Sequence, residues 1–327
     1  MKKSLTSTSL AIFITGCLLI ILILSGVGKA ADYEIAISQF VEHPSLDKAR
    51  QGFIDQLAQL GYKKGENLTI DFQNAQADFA TAQTIAQKIK QSQPDLVLAI
   101  ATPSAQTAAN IIKNTPILIT AVTDPVAAGL AASLEEPGRN VSGTTDMNPV
   151  AKQLELIKEI LPDIKNLGVL YNSGEVNSVV QIDLVKAKTK KMGINLVEAT
   201  VSNSSEVSLA AASLVDKVAA IYVPTDNIIV SAMPTVLQIA SAKKIPVFSS
   251  ENNSVEQGAI ATLGIDYYQL GRQTARMAVE VLKGKDPSGM AIQSSQDLKL
   301  YLNQKTAEKI GLAIPANILN EADQIFN

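Results

Sequence analysis

The side chains in this chain that could do chemistry are mostly carboxylates, hydroxyls and amides. There is one histidine, His43, and one cysteine, Cys17. A disulfide framework, a Cys-based zinc site and a multi-histidine metal site are therefore excluded. No G-x-S-x-G elbow, P-loop or G-x-G-x-x-G after a strand occurs, so the usual signatures of an acyl-transfer, nucleotide or dinucleotide site are missing. No nucleophile is signalled beside His43, and His43-Pro44 reads as a loop former. What recurs is a polar cluster at the point where a short apolar run gives way to a helical pattern. Thr102-Pro103-Ser104 is one such turn: free N–H groups and the helix dipole make a carboxylate site, and the two hydroxyls add donors. Thr102 also suits a simple helix cap. Asp226, in Thr225-Asp226, is a second: a carboxylate there would accept a charge-assisted hydrogen bond from a cation, or cap the helix that follows. Asp146, Glu175 and Glu251 are further acidic candidates at strand ends, and Asn172, Asn177 and Ser178 are polar ones. Asp124-Pro125 reads either as a site or as a turn. Phe40, Tyr171 and Tyr267 could stack on an aromatic ring, or belong to the core.

The elements that must hold these clusters alternate. Tyr33–Phe40, 68–72, 96–100 and 117–120 read as strands, and helical spacing of apolar residues separates them. Leu96–Ile100 is an unbroken apolar run, as in a strand covered on both faces. The pattern repeats with strands at 167–171, 194–200, 219–223 and 246–248, and helices at 179–191, 205–217 and 227–243. Strands alternating with helices give βαβ units and parallel sheets, hence an α/β fold. A break near Thr144–Pro149 divides the strands into two sets. Both sets contain a strand, a hydroxyl-bearing turn, a helix and a Pro-led strand, so two similar lobes are expected. Ligands of open parallel sheets bind beyond the carboxyl ends of the strands, and two lobes would place two such edges around one cleft.

Composition agrees. The chain has 327 residues, room for about two domains, with 46% apolar and 18% charged residues and a formal net charge of −3. Disorder is excluded by this balance, and with no basic block nucleic-acid binding has little support. A single apolar run, Leu10–Val27, is long enough to span a bilayer, which excludes a polytopic membrane protein. Lys2 and Lys3 precede it and Gly28-Lys29-Ala30 follows, the layout of a secretory signal peptide cut after Ala30. Ile14-Thr15-Gly16-Cys17 also resembles a lipobox, which would leave a lipidated Cys17, and an uncleaved anchor is the third reading. All three export the remainder to the periplasm or the outer face of the cytoplasmic membrane, with membrane contact only through the N-terminus.

An ordered series of motifs then becomes specific. Gln39-Phe-Val-Glu42-His43-Pro44-Ser-Leu-Asp47, Ala101-Thr102-Pro103-Ser104, Val122-Thr123-Asp124-Pro125, Gly143-Thr-Thr-Asp146, Tyr171-Asn172-Ser-Gly-Glu175-Val-Asn177-Ser178, Val223-Pro-Thr-Asp226-Asn227 and Gly264-Ile-Asp266-Tyr267-Tyr268 resemble one family of bacterial ABC-transporter substrate-binding proteins. The resemblance covers residues 33–320. It implies the type I periplasmic-binding fold, in which two doubly wound lobes are joined by a three-crossing hinge. The lobes are then expected at 32–146 plus 262–289 and at 147–261 plus 290–327, after an export segment at 1–31. It also implies capture of a small molecule, an amino acid with an apolar or aromatic side chain, for an ABC permease and its ATPase, with no cofactor and no catalysis. In amino-acid receptors of this fold, the position of Ala121, Thr123 and Asp124 meets the ligand's α-carboxylate and α-amine. The full set of expected ligand residues is Thr102, Ser104, Ala121, Thr123, Asp124, Asp146, Asn172, Asn177, Ser178, Asp226 and Glu251. A ligand-sensing ectodomain working with a membrane partner, or an exported α/β enzyme, are the alternatives.

Overall fold

The computed structural model describes residues 33–295 and 298–327. The expected signal segment, with its cleavage, lipidation and anchor readings, lies outside them.

The first five strands are β1 (Tyr33–Gln39), β2 (Leu68–Asn74), β3 (Leu96–Ile100), β4 (Ile117–Val122) and β5 (Val141–Thr145). They join β11 (Gln293–Ser294) in a six-stranded parallel sheet of order β11-β5-β4-β3-β1-β2. Every residue of β3, β4 and β5 is buried, so both faces of the sheet centre are covered. Strands β6 (Asn166–Asn172), β7 (Asn195–Val201), β8 (Ala220–Val223) and β9 (Val247–Ser249) form a second parallel sheet, order β7-β6-β8-β9. A third sheet, β10-β12-β13, joins Ala261–Ile265, Leu298–Asn303 and Gln324–Phe326. The molecule is thus an α/β protein of two parallel-sheet lobes, as its alternating sequence implies.

The strand orders say where each lobe opens. From β1 the chain steps outward to β2, then returns past β1 to β3. Right-handed crossovers therefore put helix Pro44–Gln59 on one face and helices Phe79–Ser92 and Thr102–Ile111 on the other. That reversal leaves a crevice at the carboxyl ends of β1 and β3. The second lobe repeats the device: β6 to β7, then back past β6 to β8, so its crevice lies beyond Asn172 and Val223.

Two stretches differ from the periodicity. The helix expected over 227–243 is two, Asn227–Ser231 and Met233–Ala242, broken at Ala232 with Pro234 at the second helix's first turn. The stretch around Thr144 continues from a strand rather than beginning a break. Val141–Thr145 carries three hydroxyls and a glycine, yet is wholly buried, because Ser142 donates to Met290 O (2.7 Å) and Thr144 bonds Thr120 and Thr274.

The chain leaves the first sheet after Thr145. Ala261 packs in the second lobe's core and Ile265 in the first's, so the return falls within β10. Met290 and Ile292 pack in the first core and Gln293–Ser294 pair with Thr144–Thr145, although the second lobe was expected to resume at residue 290. The returning helix Tyr267–Leu282 packs on Pro44–Gln59 almost backbone to backbone. A Cβ on Gly271 would sit 1.9 Å from Ala49 O, and one on Gly52 would sit 2.0 Å from Tyr268 O.

Candidate ligand-binding cleft between the lobes

A small cavity of about 20 Å³ lies where the two sets of strand ends meet. From the first lobe it is lined by His43, Ser45 and Leu46 after β1, Ala121 and Thr123 at the end of β4, and Asp146 after β5. From the second come Asn177, the segment Thr225–Asn227 with Val230, and Glu251, while Tyr267 closes it from the start of the returning helix. That is room for about one water molecule, so an organic ligand needs the lobes to stand further apart than here.

Its electrostatics are one-sided. Asp146, Glu175, Asp226 and Glu251 are the carboxylates buried among the described residues, and no Lys or Arg is buried with them. Burial pushes the carboxyls of Asp146 and Asp226 above their ordinary range. Glu175 is raised to about 8, through burial first and the Asp226 charge second. Each acid is held by donors. Asp226 accepts from Ser178 Oγ (2.6 Å), from the Asn172 N–H, and from Ile229 N–H (2.9 Å), the last being a helix cap. Asp146 accepts from Tyr267 OH (2.6 Å) and Thr123 Oγ1 (3.0 Å). Glu251 caps helix Asn252–Gln257 through Asn253 and Ser254 N–H and accepts from the Ser45 hydroxyl. Glu175 stands behind the wall, accepting from Asn177 Nδ2 (3.0 Å) and from the Asn227 side chain. Among the described residues no group of three or more His, Cys, Asp and Glu is placed to hold a metal ion. The arrangement suits an organic cation that donates to several carboxylates at once.

The lobes touch across this cavity. Thr123 Oγ1 and Thr225 Oγ1 are 3.1 Å apart, Ser45 bonds Glu251, and Asn253 Nδ2 donates to Ser45 Oγ at 2.9 Å. The first lobe's edge is also conformationally unusual. Ala101 (φ 76°) and Ala121 (φ 55°) are non-glycine residues in positive-φ backbone at the ends of β3 and β4. The register of β4 against β5 shifts between Ile119 and Val122, and this kink aims Thr123 at the second lobe.

Six of the eleven expected residues line the cavity: Ala121, Thr123, Asp146, Asn177, Asp226 and Glu251. Asn172 and Ser178 stand behind Asp226 and donate to it. Asp124 turns away, its Oδ1 accepting from Val126 N (3.0 Å) and Ala127 N (2.9 Å) as a turn former. Thr102 and Ser104 are buried but do not line the cavity. Ser104 Oγ accepts from Ser38, Thr102 Oγ1 has no partner, and no side chain caps their helix. Ser45, Leu46, Thr225, Asn227 and Val230 were not expected. Thr225, Asn227 and Val230 sit one to four residues from Asp226, whereas Ser45 and Leu46 follow His43, a loop former by sequence that also lines the cavity. Of the three aromatic candidates, Tyr267 reaches the cavity, and Phe40 is core, against Phe79. Tyr171 donates to Glu198.

The chain is 50% identical over 278 residues to a Clostridioides difficile protein named tyrosine-binding protein, covering 85% of this chain and 81% of that one. It superposes with TM-score 0.87 on an ABC domain in complex with L-Trp from Streptococcus pneumonia, at 38% identity over 90% of this chain and all of that one. With a ligand-free, open substrate-binding protein with adhesive properties from Clostridium difficile, the identity is higher, 47% over 90% and 99% of the two chains, but the TM-score is 0.68. Of these two structures, the one with the poorer match of sequence is the better match of shape. The ABC transporter substrate binding protein model matches residues 34–326; the chain belongs to that family.

Proposed function

We propose that the protein is an exported receptor for an aromatic L-amino acid, closing over the free zwitterion and presenting it to an ABC permease and its ATPase. The observation that carries this reading is the buried set of carboxylates with no buried Lys or Arg to balance them. Buried charge is costly unless paired, and an α-ammonium brings the missing partner. It sits among Asp146, Asp226 and the Thr123 hydroxyl. The α-carboxylate faces the first-lobe edge at Ala121–Thr123, with the uncapped helix start at Thr102 and its partnerless hydroxyl behind it. The side chain lies toward Leu46, Val230 and the His43 ring. Names of the relatives, one for tyrosine and one with L-Trp bound, support an aromatic side chain. Because the ammonium meets both lobes, only the closed state satisfies it, and binding favours closure.

A thermal-shift screen against the natural amino acids tests this. At about 100 times Kd an aromatic amino acid stabilises by about 2.7 kcal/mol. Stabilisation by sugars or by acidic amino acids, with none from the aromatic ones, would overturn it.

A further inference from the structure

Resting on that reading, we propose that His43 is a specificity residue, and that its ring Nδ1 accepts a hydrogen bond from a donor carried on the ligand's aromatic ring, a phenol O–H or an indole N–H. His43 lines the cavity and is buried at 8% exposure, and its Nδ1 has no hydrogen-bond partner inside the protein. A neutral imidazole has one donor and one acceptor nitrogen. Burial pulls the His43 pKa down to about 4, against a smaller opposing effect of the neighbouring Asn227 side chain, so the ring is neutral at ordinary pH. With no partner inside the protein, Nδ1 is the ring nitrogen free to accept from a ligand.

Its surroundings say which end of the ligand it meets. Asn227 and Val230 are one helical turn apart in Asn227–Ser231, and His43 and Leu46 are three residues apart across the start of Pro44–Gln59. All four line the cavity. Leu46 and Val230 give this corner apolar walls, whereas Asp146 lies with Thr123 and Tyr267, and Glu251 with Ser45. With the lobes parted to admit it, an aromatic ring would lie against Leu46 and Val230, with His43 beside it. Phenylalanine would bury this nitrogen without a partner, and an unmet buried acceptor is costly.

The experiment is calorimetric titration of the purified protein, of His43→Leu and of His43→Gln, with L-phenylalanine, L-tyrosine and L-tryptophan, after checking that each variant melts cooperatively. The wild type should prefer tyrosine or tryptophan over phenylalanine by about tenfold to a hundredfold. His43→Leu should erase that preference while leaving phenylalanine bound as well or better, and His43→Gln, which keeps an acceptor oxygen, should restore part of it. The tyrosine and tryptophan arms tell which ring donor is read. A preference that survives in His43→Leu, or equal losses for all three amino acids, overturns the assignment. Binding of none of the three to the wild type would instead overturn the aromatic amino-acid reading on which it rests.

Discussion

At the residue scale, the acids have two jobs. Asp226 caps Asn227–Ser231 and also faces the cavity, so capping and binding are not rivals there. Removing it does more than delete a ligand contact. Asp226→Ala leaves the Asn172 N–H, the Ser178 hydroxyl and the Ile229 N–H without their acceptor. The unliganded protein should therefore lose roughly 2–3 kcal/mol in chemical denaturation, and affinity should fall about thirtyfold or more because the ammonium loses a desolvated partner. Asp226→Asn should keep more of the stability but not the affinity. Glu175 makes a pH prediction. It keeps its proton up to about pH 8 in the folded chain, against an ordinary value of 4.5. Between those values the folded state binds more protons than the unfolded one, so this contribution to stability is full below about pH 4.5 and is lost as pH rises through about 8. Melting curves of the unliganded protein should show that decline, and Glu175→Gln should flatten it. Since an ammonium favours ionised carboxylates, binding should release protons near neutral pH, read as a buffer-dependent heat of binding. The acidic candidates were legible because a carboxylate after an apolar run is conspicuous. Thr225, Ser45 and Asn227 were not, since hydroxyls and amides are common at helix starts and nothing local says which face another lobe.

At the element scale, alternation of apolar strands and amphipathic helices made both parallel sheets readable, and Leu96–Ile100 was legible to the residue. Val141–Thr145 was not, because its burial depends on hydroxyl partners distant in sequence: Met290, Thr274 and Thr123. The helix pair Pro44–Gln59 and Tyr267–Leu282 shows the same limit. Its closeness depends on Gly52 and Gly271, separated by more than two hundred residues. Gly271→Ala drives a methyl into the Ala49 carbonyl, which only a shift of backbone relieves. It should cost near the upper end of ~1–3 kcal/mol, measured by denaturant unfolding. Ser45, Leu46 and Tyr267 ride on the starts of these two helices, so affinity should fall with stability. Gly61, where a Cβ meets nothing within 4 Å, is a control for steric effects, although its positive φ disfavours alanine there too.

At the scale of the whole molecule, the repeated strand reversal in each lobe supplies two facing crevices. Hydrogen bonds between the lobes pair Thr123 with Thr225, and Ser45 with Glu251 and Asn253, while Val176 packs against the first lobe's core and Ala77 against the second's. Such contacts alone hold two lobes weakly, so the ligand should set the balance between states. Small-angle scattering should show the unliganded protein contracting when an aromatic amino acid is added, and Thr225→Val should weaken that contraction and also lower the melting temperature, because the Thr225 hydroxyl accepts from the buried Gln181 side chain. The central claim is that a cleft rich in buried acid is built for an ammonium. The most direct measurement is calorimetric titration with L-tyrosine and with its des-amino analogue, the same phenol and carboxylate without the amino group. The account predicts one tyrosine bound per chain and an analogue weaker by about thirtyfold or more. An analogue that binds as tightly as tyrosine would contradict it.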